Sequence, residues 1–165
     1  MRRVDYMAVA EQAMAQITKG AFLTVRAGEE VNTMTIGWAL LGFCWGRPVA
    51  AVAVRDSRHT FGMIERAADF TITVPTSDLA KELAYCGSRS GRDVDKFREC
   101  GLATAAAQQV DSPIIAIAGI QFECRIVYKA PMDPANAHEC LDAIYPAKDY
   151  HTHYYGEIVD CYVTE

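Results

Sequence analysis

Asn32-Thr33-Met34-Thr35-Ile36-Gly37-Trp38 opens a long apolar run that reaches Trp45, broken only by small or hydroxyl residues. β-branched and aromatic residues dominate its first half, which predicts a strand. Side chains alternate along a strand, so Asn32, Met34, Ile36 and Trp38 share one face, and Thr33, Thr35 and Gly37 share the other. Read structurally, this is a buried strand whose threonines serve β-propensity. Read chemically, it combines short hydrogen-bonding groups, a glycine that admits close approach and a flat indole. That mix suits a planar ligand with polar edges.

Outward from this strand, the next informative stretch is Tyr85-Cys86-Gly87-Ser88-Arg89-Ser90-Gly91-Arg92-Asp93-Val94-Asp95-Lys96-Phe97. Hydroxyls, glycine-freed backbone N–H groups and cationic side chains crowd together just before a helix expected to start at Asp93. Those groups are what a phosphate monoester needs. The stretch is not a P-loop, because the Gly-Lys-Ser/Thr ending is absent. The structural alternative is a solvated loop with Asp93 capping a helix.

Taken together, the two stretches resemble the flavin reductase-like family, the FMN-binding split barrels that include flavoredoxins. The resemblance rests on Asn32-x-Met34-Thr35-x-x-Trp38, on Arg58-His59-Thr60 leading a helix, and on Ser90-Gly91-Arg92-Asp93-Val94-Asp95-Lys96-Phe97 followed by Gly101-Leu102. It ends with His151 five residues before Gly156-Glu157-Ile158. These matches run in the family's order from about Gly20 to Ile158. The resemblance implies a mainly β fold with inserted helices, an antiparallel Greek-key split β-barrel. It also implies a homodimer with the flavin near the subunit interface.

The 165 residues are enough for one domain with a substantial core, so residues 1–165 are taken as a single FMN-binding domain. A net charge of −5 argues against a general nucleic-acid binder, while leaving room for a local basic pocket. No long apolar stretch suggests a membrane span or a signal peptide, and a cytoplasmic setting is expected. The six cysteines, at 44, 86, 100, 124, 140 and 161, form no Cys-x-x-Cys pair. They read as small hydrophobes in a reducing compartment rather than as disulfides, zinc ligands or a redox dithiol.

Along the chain, residues 4–18 predict a helix with Met7, Ala10, Met14 and Ile17 on its apolar face. Strands are expected at 21–26, 32–38 (continuing past a bulge at Gly42), 49–54, 69–74, 113–118, 119–128 and 150–163, the last with a bulge at Gly156. A short helix should follow Ser57 as N-cap, with Phe61, Ile64 and Ala68 inside. Another should present Leu79, Leu83 and Cys86 inward. Asp133-Pro134 predicts a helix over 134–145 with Leu141 and Ile144 on its apolar side.

No serine–histidine–aspartate order, zinc-protease motif or carboxylate pair stands out, and no catalytic residue is assigned. His151 and His153 share a strand face without an evident third ligand, so no metal is assigned. Few acid–base candidates beside a phosphate loop suit a cofactor that carries its own chemistry. The resemblance implies that Arg58, Thr60, Ser88, Ser90 and Lys96 hold the FMN phosphate and ribityl end. It implies that Asn32, Thr33, Met34 and Thr35 line the isoalloxazine, that Trp38 shapes the pocket, and that His151 contacts the flavin. Arg89 and Arg92 are secondary.

Such a site would take a hydride from NADH or NADPH, or electrons from a redox-protein donor, and pass them to free flavin or another acceptor. No Gly-x-Gly-x-x-Gly follows a strand, so a nicotinamide would bind transiently against the flavin. Many relatives continue with a carboxy-terminal segment at the pocket, whereas this sequence ends at Glu165, so a more open site or one closed by a partner subunit is expected. The alternatives are a flavoredoxin-type electron carrier, a pyridoxamine phosphate-oxidising split barrel, and a ligand-binding module without redox turnover.

Overall fold

The computed structural model describes residues 1–165. Ten strands and four α-helices form: β1 Arg2–Arg3, α1 Tyr6–Ile17, β2 Ala21–Ala27, β3 Glu30–Ile36, β4 Ala39–Cys44, β5 Arg47–Arg55, α2 His59–Ile64, β6 Asp69–Pro75, α3 Ala80–Ser88, α4 Lys96–Cys100, β7 Thr104–Ala105, β8 Ile114–Ile115, β9 Gly119–Pro131 and β10 His151–Thr164. The main sheet runs β3-β2-β6-β9-β10-β5-β4, with β1 added along β10, and all its pairings are antiparallel. β5 is followed in sequence by β6 but lies two strands away across β9 and β10, a Greek-key crossover.

β3 and β4 occupy opposite ends of this path, yet only Gly37 and Trp38 separate them. The sheet therefore curls until its two ends meet without pairing: this is the split barrel expected from the sequence. The expected continuous strand through Trp38 is corrected here. The chain changes partner at Gly37-Trp38, from β2 to β5, so Trp38 leaves the face it was assigned and is 49% exposed.

The barrel interior is one apolar cluster to which Leu23, Val25, Met34, Val52, Phe70, Phe122 and Tyr154 contribute. β2 is buried on both faces, because a second cluster of Phe22, Leu83, Cys86, Leu102 and Ile115 packs α3, α4 and β8 on its outside. Gly156 marks a register shift in β10, and it must be glycine: an added Cβ would lie 2.7 Å from both Cys124 Cβ and the Phe70 ring.

Several local expectations shift. α1 buries Val9, Ala13 and Ile17, an exact four-residue stripe, and turns Met7 outward. α2 has Arg58, not Ser57, at its N-cap position, without a side-chain cap, and buries Thr60, Met63 and Ile64. α4 begins at Lys96 because Asp95, not Asp93, accepts the Arg98 N–H at 3.1 Å.

The expected helix over 134–145 is instead two 3-10 turns, Pro134–Asn136 and Glu139–Ile144. Asp133 caps the first, and His138 Nδ1 accepts the Cys140 N–H to open the second, so local side-chain bonds outcompete a continuous helix. Leu141 and Ile144 stay at the surface region, and Tyr145 is the residue that goes in. No helix is long and apolar enough to cross a membrane.

Candidate functional site

The seam between β3 and β4 opens as a cleft of about 190 Å³. Met34, Thr35, Ile36, Gly37 and Trp38 form one side, and Ala53, Arg55, Arg58 and His151 form the other. Pairing of β10 with β5 puts His151 opposite Arg55, at the rim of the barrel. Trp38, freed from the strand, packs its ring 4.8 Å from the His151 ring at 44°. The same departure that broke the predicted strand therefore supplies an aromatic wall.

A second cavity, about 150 Å³, adjoins the first and shares Met34 and Arg58 with it. It collects Ser57, His59, Thr60, Ser88, Arg89, Ser90, Gly91, Arg92 and Lys96, and no carboxylate lines it. Its floor is buried (Thr60, Lys96, Cys86 and Met34), and its mouth is exposed (Arg58, Ser88, Arg89 and Arg92).

Lys96 is the central group of that floor. Capping of α4 by Asp95 places it at the first helical position, where it reaches back between α3 and β3. Its Nζ donates to Thr33 O at 2.9 Å and to Cys86 O at 2.8 Å, and it is 4% exposed. No carboxylate compensates it, and burial pushes its pKa down. An ammonium has three protons to donate and the protein accepts two, so one donor remains.

Around it, Arg58 Nη1 donates to Gly87 O at 3.1 Å, and Thr60 accepts the Asn32 amide at 2.9 Å, which leaves the Thr60 hydroxyl proton available. Gly91 closes against Asn32 and His59 so tightly that any Cβ would collide with both. The arrangement is preorganised cationic capacity without a counter-ion, and an anion of phosphate type fits it.

The sequence-assigned residues divide as follows. Arg58, Thr60, Ser88, Ser90 and Lys96 line the anion pocket; Met34, Thr35, Trp38 and His151 line the cleft; Met34 and Arg58 line both. Thr35 spends its hydroxyl on Leu83 O at 2.6 Å, and Ser88 spends its own on Ala84 O. Asn32 stands behind Thr60 and faces a third, larger cavity of about 630 Å³, shared with Glu29, Glu30, Asp93 and Phe97.

The structure does not bring the Thr33 side chain to the site. Its hydroxyl turns to the outer face of β3, against Thr24 and Leu23 O, and only its carbonyl serves, through Lys96. The sequence reading also passed over Arg55 and Tyr145. Tyr145 O–H lies 2.8 Å from His151 Nδ1, and Arg55 sits 5.1 Å over the Tyr145 ring. Burial, with Arg55 adding to it, pushes the His151 imidazole down to about 4, so it is neutral at pH 7.

Residues 14–165 match the flavin reductase like domain family, and the chain belongs to it. Among proteins of similar sequence, one from Archaeoglobus fulgidus is 29% identical over 106 residues, 64% of this chain; the match spans 59% of that protein's own length. Flavoredoxin from Methanosarcina acetivorans superposes with a TM-score of 0.71 at 24% identity, covering 88% of this chain and 68% of that one. An FMN-binding protein from Thermus thermophilus gives a TM-score of 0.69 at 22% identity, covering 88% and 71%. A Streptomyces globisporus NADH:FAD oxidoreductase gives 0.67 at 16% identity, covering 93% and 83%.

Proposed function

We propose that this chain is an FMN-dependent oxidoreductase that takes reducing equivalents from NADH or NADPH, or from a protein donor, and passes them to free flavin or another acceptor. The observation that carries the reading is the union of two sites: a carboxylate-free cationic pocket opening, past Met34 and Arg58, into an aromatic cleft at the barrel split. When bound, FMN supplies the one- and two-electron chemistry.

The chain's own residues bind and orient. Lys96, Arg58 and the Thr60 hydroxyl neutralise and donate to the phosphate end. Met34, Thr35, Trp38 and His151 wall the ring end. The likeness to an NADH:FAD oxidoreductase supports a nicotinamide donor, and the likeness to flavoredoxin supports a second reading, an electron carrier fed by a protein.

A homodimer in the cytoplasm is part of the proposal. Leu40, Phe43, Trp45, Val127 and Tyr128 are exposed on β4, the β4–β5 turn and β9, beside the cleft residue Trp38. A second copy covering them would also shelter the cleft. Light scattering on the purified chain tests this directly: twice the chain mass is expected, and a monomer at micromolar concentration contradicts it.

Replacing Lys96→Ala together with Thr60→Ala should weaken FMN binding at least about tenfold, equivalent to about 1.4 kcal/mol. Unchanged affinity in the folded double variant overturns the site assignment. Adding NADH or NADPH to the FMN-loaded protein without oxygen separates the two readings: bleaching supports the reductase, and a persistent oxidised spectrum supports the carrier.

A further inference from the structure

His151 is held in the cleft by groups that its own strand does not supply. The imidazole is 7% exposed and lines the cleft, with Trp38 against one side. Its Nδ1 is 2.8 Å from the Tyr145 hydroxyl, and its Nε2 has no partner within the protein. Tyr145 itself is 9% exposed and is held by more than its own packing.

Arg55 clamps the segment that carries it: its guanidinium bonds Asp149 Oδ1 at 2.7 Å, Asp149 O at 3.2 Å and Ile144 O at 3.2 Å, while lying over the Tyr145 ring. Tyr150 also packs on it, ring centroids 5.1 Å apart.

Two arrangements of the shared proton exist. Either the phenol donates to Nδ1, leaving Nε2–H as a donor, or Nδ1–H donates to the phenol, leaving Nε2 as an acceptor. Two features favour the first. A phenol O–H is the stronger acid and a neutral imidazole nitrogen the stronger base, so phenol-to-imidazole is the stronger bond. A cation over the ring withdraws electron density and sharpens the hydroxyl as a donor. The phenol is protonated in both arrangements, since burial raises its pKa.

We propose that Tyr145 is a positioning residue whose hydroxyl donates to His151 Nδ1 and so holds a neutral imidazole with Nε2–H as a fixed hydrogen-bond donor in the cleft. The consequence for a cofactor there rests on the flavin reading above. A fixed neutral donor on the wall favours whichever redox state of the ring carries more negative charge.

The charged groups facing His151 favour a neutral imidazole on balance. Arg55 from β5, Arg58 ahead of α2 and His153 on β10 all disfavour a proton on it, and only Asp149 favours one.

Ring nitrogen NMR on the flavin-free protein at pH 7 tests the assignment. The wild type should show His151 as the Nε2–H tautomer, titrating near 4. Tyr145→Phe, which keeps the packing and the Arg55 contact, should move the tautomer ratio toward Nδ1–H about fivefold, the size of one net hydrogen bond. It should also raise the titration midpoint.

An Nδ1–H tautomer in the wild type overturns the proposal, as does an unchanged ratio and midpoint in Tyr145→Phe. After FMN loading, the midpoint potential of the flavin should fall in Tyr145→Phe, and an unchanged potential overturns the link to the cofactor. Failure to retain FMN would defeat the flavin reading while leaving the flavin-free NMR result to decide on Tyr145.

Discussion

Two walls of the barrel bury polar groups in opposite ways. On the closed wall, Glu123 of β9 is fully buried with no cation beside it, yet both its oxygens are occupied. Gln108 N–H reaches one at 2.7 Å, Gln109 N–H reaches the other at 2.6 Å, and the Tyr162 hydroxyl donates at 2.6 Å. Asp69 does the same for Asp111 and Ser112. These carboxylates tie residues 108–112 to the sheet, and each of their oxygens is engaged by a donor of the fold itself. On the split wall, Lys96, Thr60 and His151 are equally buried, and each keeps one donor or acceptor that the protein does not use. Burial of a polar group is common to structure and function; a valence left over, facing a cavity, separates them.

That contrast can be broken. The largest effect should come from the closed wall. Glu123→Ala leaves the buried Tyr162 phenol and two part-buried N–H groups without their acceptor and should cost about 4 kcal/mol of stability, read by urea or thermal unfolding. FMN affinity of the folded fraction should be unchanged; a loss of affinity instead would show that the two walls are not separate.

Next is the pH response of the split wall. His151 is held near 4 against an ordinary value of 6.5, so the unfolded chain binds its proton first as pH falls. Its burial costs nothing above pH 6.5; the penalty then grows and is complete below about pH 4, reaching about 3 kcal/mol. His151→Gln should flatten that part of the stability–pH curve, and a curve parallel to wild type from pH 7 to 4 contradicts the assignment.

The smallest effect belongs to the rim. Arg92 is exposed at the pocket mouth, so Arg92→Ala should weaken FMN only about two- to threefold at low salt, less as salt rises. An effect as large as that at Lys96 would move the centre of the site outward.

Much of this was legible in the sequence, and the failures have causes. Alternation carried the antiparallel strands, and the likeness of the Ser90–Phe97 run to the flavin reductase-like family carried Lys96. Alternation alone puts Thr33 and Asn32 on opposite faces, but it does not say that α3 and α4 cover one face while α2 covers the other; Thr33 was lost for that reason. The break at Gly37-Trp38 escaped because apolar residues continue straight through it. It becomes visible only when β3 and β4 are seen to have different partners. Tyr145 follows directly on the 3-10 turn Glu139–Ile144 that His138 opens, and its partner, six residues on, lies beyond an irregular stretch, so no periodicity pointed to it.

The measurement that bears most directly on the account is the visible spectrum of the purified chain after loading with FMN and desalting, compared with Lys96→Ala/Thr60→Ala treated alike. The account predicts an oxidised-flavin spectrum retained by the wild type and washed out of the folded double variant. A wild-type chain that keeps no flavin, or a double variant that keeps as much, would contradict it.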